Sequence, residues 1–268
     1  MRRRGPWRWK GWVGLVLAVT AACAAAEVRA GLPETVARIK PGIVGVGTWL
    51  PTGTPPFRFR GTGFAVGDGR HVLTAAHVVA VVLDPARNER LAVLAGSGRG
   101  ERRWAEKVAV DPVHDLALLR VTGPPLRPLR LGRSSRVREG EEYAFTGFPL
   151  GTLLGLYAAT HRATVAAIAP AVMPQATARR LDPATVRRLR SPFRVLQLDA
   201  TAYPGSSGSP LYDMRTGKVV GLVNQVVVRR PGKGEEAPAD GIPRPGGITY
   251  AIPIDFARPL LERAGVRH

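Results

Sequence analysis

The sequence predicts an all-β protein, and three observations carry that reading. Short runs rich in Val, Ile, Leu and aromatic residues recur along the chain. Turn-forming residues separate them, with 31 Gly and 24 Pro among 268 residues. Only three short segments carry helix signals. Many short strands with turns between them build a barrel or a sandwich, and this length can bury one large core or two small ones.

The elements follow in order. Pro33 to Lys40 reads as a short helix, entered at Pro33 and stopped by Pro41-Gly42. Ile43 to Leu50 alternates as a strand, and Pro51 to Pro56 is a loop. Gly61–Val66 and Arg70–Leu73 form a hairpin around Gly67-Asp68-Gly69, the turn chemistry hairpins prefer. Leu91–Leu94, Trp104–Val110 and Leu116–Val121 continue the β pattern. Thr122 to Arg138, rich in Pro, Gly and Arg, connects two halves. Strands resume at Tyr143–Phe148, Ala158–Ile168, Val195–Leu198, Lys218–Val228 and Ile248–Ile252. Two segments interrupt them. Leu181 to Arg190 is an expected helix with Asp182 as N-cap and Pro183 at its first position. Arg230 to Gly247 is a long Pro-, Gly- and charge-rich loop. Each is either a gate over a cleft or a solvated insertion. Asp255 is expected to cap a terminal helix running through Glu262. No internal repeat is visible, and a C-terminal peptide-binding domain of the PDZ kind is not expected.

The N-terminus has the layout of a secretory signal peptide. Arg2, Arg3, Arg4, Arg8 and Lys10 precede an uncharged, alanine-rich stretch from Trp12 to Ala26. Ala24-Ala25-Ala26 offers a cleavage site before Glu27, and the apolar run is short for a membrane span. The chain is therefore expected to be exported, to the periplasm or beyond. The single cysteine, Cys23, lies inside this segment, so cleavage after Ala26 leaves no disulfide. The alternative is lipidation of Cys23 and a membrane anchor, although Thr20 departs from the large aliphatic residue of such signals.

The formal net charge is +19, carried mostly by arginine. On an exported protein a basic surface would favour anionic envelope polymers, lipid headgroups or acidic substrates. The basic residues are scattered along the sequence, however, and the excess reads first as general compositional bias. No basic stripe interleaved with aromatics points to nucleic acid.

Three stretches carry chemistry. In Ala202-Tyr203-Pro204-Gly205-Ser206-Ser207-Gly208-Ser209-Pro210, two glycines let the backbone turn tightly and aim amide N–H groups into one concavity. Alone it could equally be a Gly/Ser surface turn. Leu73-Thr74-Ala75-Ala76-His77-Val78-Val79 sets a histidine after an apolar run. His114-Asp115-Leu116-Ala117-Leu118-Leu119-Arg120-Val121 sets an acid before another. A serine hydroxyl needs a base to take its proton and donors to hold the oxyanion, and here histidine, acid and serine occur in that chain order. His71, His114, His161 and His268 are the rival histidines, and Asp111 is the rival acid. There is no H-E-x-x-H pattern, and one cysteine cannot support a structural zinc. No metal or cofactor is expected.

GTGFAVGDGRHVLTAAHVV, HDLALLRV and YPGSSGSPLYD resemble trypsin-like serine peptidases, especially the bacterial HtrA and V8-type branch. The resemblance runs from about Pro33 to Pro253. It implies two six-stranded antiparallel β-barrels of the chymotrypsin kind, at about 33–130 and 139–253, with a short helix and tail at 254–268. His77 would be the general base, Asp115 its orienting acid and Ser207 the nucleophile, with the Gly205 and Ser207 N–H groups as the oxyanion hole. The implied function is endopeptidase action on proteins or peptides through an acyl-enzyme. The alternative is a peptide-binding or chaperone-like envelope protein on the same scaffold. Digestive relatives carry an acid before the nucleophile that pairs with a new N-terminus; Ser206 cannot, which removes that zymogen switch. The resemblance places the primary pocket among Thr201, Ala202, Tyr203, Val223, Asn224, Gln225, Val226, Ile248 and Tyr250. Trypsin's acid is missing at Thr201 and the histidine of glutamyl-specific enzymes is missing at Val223. Cleavage is therefore expected after small or medium apolar residues.

Overall fold

The computed structural model describes residues 31–98, 100–149, 151, 155–171, 193–228 and 245–268, the side chains of 225–228 and 245–248 excepted. The expected signal peptide, the Leu181–Arg190 helix and most of the 230–247 loop lie outside the described residues. A helix, α1 (Leu32–Ile39), precedes six strands: β1 (Ile43–Trp49), β2 (Phe57–Val66), β3 (His71–Ala75), β4 (Arg90–Ala95), β5 (Glu101–Asp111) and β6 (Leu116–Val121). Six more follow the connector: β7 (Glu142–Gly147), β8 (Ala159–Pro170), β9 (Arg194–Asp199), β10 (Pro210–Tyr212), β11 (Val219–Val228) and β12 (Pro245–Pro253). A second helix, α2 (Ala257–Arg263), closes the described chain. Among the described residues no helix is long and apolar enough to cross a membrane.

Antiparallel pairing closes β1-β2-β3-β6-β5-β4 into one barrel and β7-β8-β9-β12-β11-β10 into a second, so among the described strands no sheet edge is left open. The second barrel repeats the strand order of the first, although the sequence shows no repeat. Inward positions require apolar volume rather than particular residues, so topology outlasts sequence likeness. Phe64, Leu73 and Leu118 are fully buried in one core; Phe145, Val165, Leu198 and Leu211 are fully buried in the other.

The terminal segments cross over and lock the barrels together. Thr35 on α1 donates its hydroxyl to the Arg215 carbonyl in the β10–β11 turn, 3.1 Å away. In return α2, which follows the second barrel, packs on β5 and β6 of the first. This cover explains why Leu116-Ala117-Leu118-Leu119 is buried on both faces instead of alternating.

Three expectations need correction. Strand β2 begins at Phe57, because Phe57-Arg58-Phe59-Arg60 alternates apolar and charged residues as a half-buried strand does. Strand β10 was not expected: three residues opened by a proline carry too little pattern, yet they pair with both β7 and β11 and close the second barrel. Asp255 does not cap the terminal helix. A 3-10 turn over Ile254–Phe256 intervenes, and the cap position falls on Phe256 with no side-chain bond. The Asp255 carboxylate instead accepts the Ser135 N–H at 3.1 Å and Arg258 Nε at 3.2 Å, fastening the connector to the C-terminal segment.

Candidate active site

The antiparallel register of β3 with β6 sets Ala75 opposite Leu116, so the residues leaving β3 and entering β6 lie side by side. That places His77, in the 3-10 turn Ala76–Val78, against Asp115. Asp115 takes the left-handed backbone conformation at φ 54°, uncommon for a residue with a side chain. Its carbonyl accepts the Ala76 N–H at 2.9 Å and its Oδ1 accepts the His77 N–H at 2.8 Å. Its Oδ2 lies 2.6 Å from His77 Nδ1. A carboxylate only accepts, so Nδ1 carries the proton and Nε2 is left with its lone pair. The His77 side chain is 48% exposed and that of Asp115 only 16%, so the imidazole meets solvent while the carboxylate is shielded.

Burial by itself would raise the Asp115 pKa, but the His77 imidazole, the His77 N–H and the Asn224 amide together hold it below the usual carboxylate range. Asp68, Asp111, Asp213 and Asp255 behave alike: burial pushes up, and hydrogen bonds to the charged form win. Acids with depressed native pKa values favour folding above their unfolded pKa, and that contribution fades as pH falls through the native values. The melting temperature should begin to decline below about pH 6.5, where the unfolded chain protonates His161, which burial keeps neutral in the fold, and should fall more steeply below about 4. Calorimetry across pH 3 to 7 checks this, and a level profile to pH 3 would refute it.

Ser207 sits in the loop between β9 and β10. Gly205 and Gly208 hold φ of 98° and 90°, where side chains are strained. A Cβ on Gly208 would also meet the Thr62 carbonyl oxygen at 1.9 Å, and one on Gly205 the Phe148 carbonyl oxygen at 2.5 Å. The loop is therefore pressed against the first barrel. Thr62, on β2, fastens it there: its N–H donates to the Ser207 carbonyl and its hydroxyl to the Gly205 carbonyl, each at 2.8 Å. The same hydroxyl accepts the Phe148 N–H at 3.1 Å. Sequence reasoning missed Thr62; a polar residue between two glycines in an apolar strand was the available signal.

Asn224 is the second residue whose part was missed. The β11–β12 register runs from Val223↔Ala251 directly to Gln225↔Tyr250, leaving Asn224 as the extra residue of a β-bulge. Its side chain is 3% exposed overall and turns to Asp115, with Nδ2 donating to Oδ2 at 2.6 Å. Its carbonyl accepts the Ser207 hydroxyl at 3.0 Å. Among the described residues no hydrogen bond joins Ser207 to His77. Asn224 thus touches acid and serine together. A hydrogen bond to a charged group is worth about 1.5–3 kcal/mol, so Asn224→Ala should lower kcat/KM about 10- to 100-fold with little loss of fold. Unchanged kinetics on a fluorogenic peptide would show the bond to be idle.

The rival residues are engaged elsewhere. His71 Nδ1 pairs with Asp68 at 2.8 Å. His114 Nδ1 pairs with Asp111 at 2.7 Å, and its ring stacks on Phe256 with centroids 4.0 Å apart. Asp111 is thereby assigned to His114 and not to His77. His161 stacks on Phe145, and burial lowers its pKa. Ser206 and Ser209 are buried, and their hydroxyls have no partner among the described residues. The Gly205 and Ser207 N–H groups are paired with no acceptor among the described residues. Of the residues expected to wall the pocket, Thr201 is exposed and Tyr203 and Tyr250 are half-buried. Ala202 and Val223 are wholly buried and pack in the second core. The side chains of Gln225, Val226 and Ile248 lie outside the described residues. Among the described residues no cluster of His, Cys, Asp or Glu is arranged to hold a metal ion.

The profile of the trypsin-like peptidase domain matches residues 61–222, more than half of the chain. The chain belongs to the trypsin-like peptidase family. Among trypsin-like relatives, a "Probable periplasmic serine endoprotease DegP-like" of Pseudomonas putida is 33% identical over 197 residues, covering 74% of this chain and 33% of its own length. "Serine protease HTRA2, mitochondrial" of Drosophila virilis is 31% identical over 220 residues, 81% of this chain and 42% of that protein. The chain thus spans a third to two fifths of these relatives. The solved "HtrA-type protease AlgW with decapeptide" superposes with a TM-score of 0.60 at 20% identity, over 88% of this chain and 67% of that one, and shares its fold.

Proposed function

We propose that this trypsin-like chain is an exported serine endopeptidase acting on proteins or peptides. The observation that carries the reading is the His77–Asp115 pair, held at 2.6 Å and faced by a serine loop that Thr62 and Asn224 fix from either side. Ser207 Oγ attacks the scissile carbonyl carbon while His77 Nε2 takes its proton. The oxyanion is held by the Gly205 and Ser207 N–H groups. His77 then returns the proton to the leaving amine as the C–N bond breaks. Water, activated by the same imidazole, attacks the acyl-enzyme and releases the acid, restoring Ser207. Relatives named as periplasmic and the signal-like N-terminus together favour the periplasm.

A fluorophosphonate probe tests the mechanism, since it labels an activated serine and ignores an idle one. The rival reading, a peptide-binding protein on the same scaffold, draws on the Ser207 hydroxyl being bonded to the Asn224 carbonyl. Absence of labelling in folded protein would favour that rival. For specificity, no charged side chain stands at Thr201 or Val223, so a buried substrate Arg, Lys or Glu would be left unpaired at a cost of several kcal/mol. Profiling against a randomised peptide library should give cleavage after Val, Ala or Leu. The preference should be shallow, because one methylene is worth only about 1–3 kcal/mol. Dominant cleavage after Arg, Lys or Glu would overturn the pocket assignment.

A further inference from the structure

A groove of about 880 Å³ lies apart from the catalytic residues, where α1, the β2–β3 turn, the connector, the β10–β11 turn and the C-terminal segment converge. Its lining includes Arg38, Arg127, Arg130, Lys218, Arg267 and His268, and no Asp or Glu side chain. Residues scattered across the sequence are thus gathered on one concave surface by the fold. Elsewhere the chain pairs arginine with carboxylate, as in Arg103–Glu101, Arg138–Glu141 and Arg258–Asp255. Among the described residues none of the five groove cations has such a partner. Arg38 is steadied by neutral acceptors only, the Thr35 hydroxyl at 3.1 Å and the Arg215 carbonyl at 3.3 Å, so its charge is positioned without being neutralised.

Like charges converging in a cleft repel one another and focus the field into it, an arrangement that an anion relieves. Guanidinium forks match phosphate oxygens two at a time. The volume falls in the range of small-ligand sites, about 300–1,000 Å³, and is far more than one phosphate fills. We propose that this groove binds a ligand carrying several phosphate groups. Such a ligand would also bridge the barrels. The connector bonds to the first through Leu129 N–H and the Ala65 carbonyl, and to the second through Val219 N–H and the Arg130 carbonyl. Occupancy of the groove therefore adds stability to the docked pair.

The test uses the full chain and inorganic tripolyphosphate, with monophosphate and citrate as comparisons. Tripolyphosphate should raise the melting temperature saturably, more than either comparison at equal concentration, and the effect should weaken as salt rises. The double variant Arg130→Glu/Lys218→Glu reverses two exposed charges, so its ligand-free melting temperature should stay close to the parent's while its apparent affinity falls at least tenfold. Arg127→Ala is an independent check, expected to weaken binding several-fold. Vesicles separate the two sources of phosphate. Co-sedimentation with vesicles containing cardiolipin, a lipid of two phosphates, but not with phosphatidylcholine alone, lost in the double variant, assigns the groove to lipid headgroups. Tripolyphosphate binding with the protein left in the supernatant assigns it to a soluble ligand. No saturable binding to either probe, or equal binding by the parent and a folded double variant, overturns the proposal.

Discussion

Replacing Ser207 by Ala should abolish peptide hydrolysis, with turnover falling by about 10⁴-fold or more, while the melting temperature stays near that of the parent. The substitution removes one oxygen whose only described bond is to the Asn224 carbonyl, at 3.0 Å. The loop itself is held by main-chain geometry at Gly205 and Gly208 and by Thr62, none of which changes. The neighbouring hydroxyls give internal controls. Ser206 and Ser209 are buried with unpartnered oxygens, so Ser206→Ala and Ser209→Ala should leave kinetics nearly unchanged. Fluorophosphonate labelling and fluorogenic-peptide kinetics on the three purified variants check the set. Full activity in Ser207→Ala would end the assignment.

Asp115→Asn is expected to cost about 10⁴-fold in kcat, by a different route. The carboxylate accepts from the His77 ring, the His77 main chain and Asn224 Nδ2. An asparagine amide facing Nδ1 donates instead, which favours the tautomer with its proton on Nε2, where the serine proton must go. Asn224 can turn its own amide to suit the new partner, so the loss falls on the imidazole and not on packing. The left-handed backbone at position 115 is one that Asn tolerates and Ala does not. Asp115→Ala should therefore lose stability as well as activity, whereas Asp115→Asn should lose activity alone. Parallel melting curves and single-turnover kinetics separate the two, and near-parental turnover in Asp115→Asn would show that the pairing with His77 is not used.

The all-β pattern was legible because strand residues and turn glycines are chosen locally: Gly67-Asp68-Gly69 turns the β2–β3 hairpin whatever the rest of the chain does. The same holds for the Ser207 loop, where Gly205 and Gly208 announce positive φ in the sequence itself. The order His77, Asp115, Ser207 was legible for a related reason, since each residue is marked by its own short flanking run. What required the tertiary structure is whatever depends on which strand lies beside which. The Ala75↔Leu116 register brings His77 to Asp115 and leaves Asp111 to His114. Strict alternation would have aimed Asn224 elsewhere, and a one-residue bulge against β12 turns it onto Asp115. Three residues of β10 close the second barrel only because β7 and β11 wait on either side. Arg38, Arg130 and Lys218 are unremarkable in the sequence and share one groove because the connector crosses between the barrels. Local chemistry selects the elements; burial and long-range hydrogen bonding select their neighbours, and those neighbours make the site.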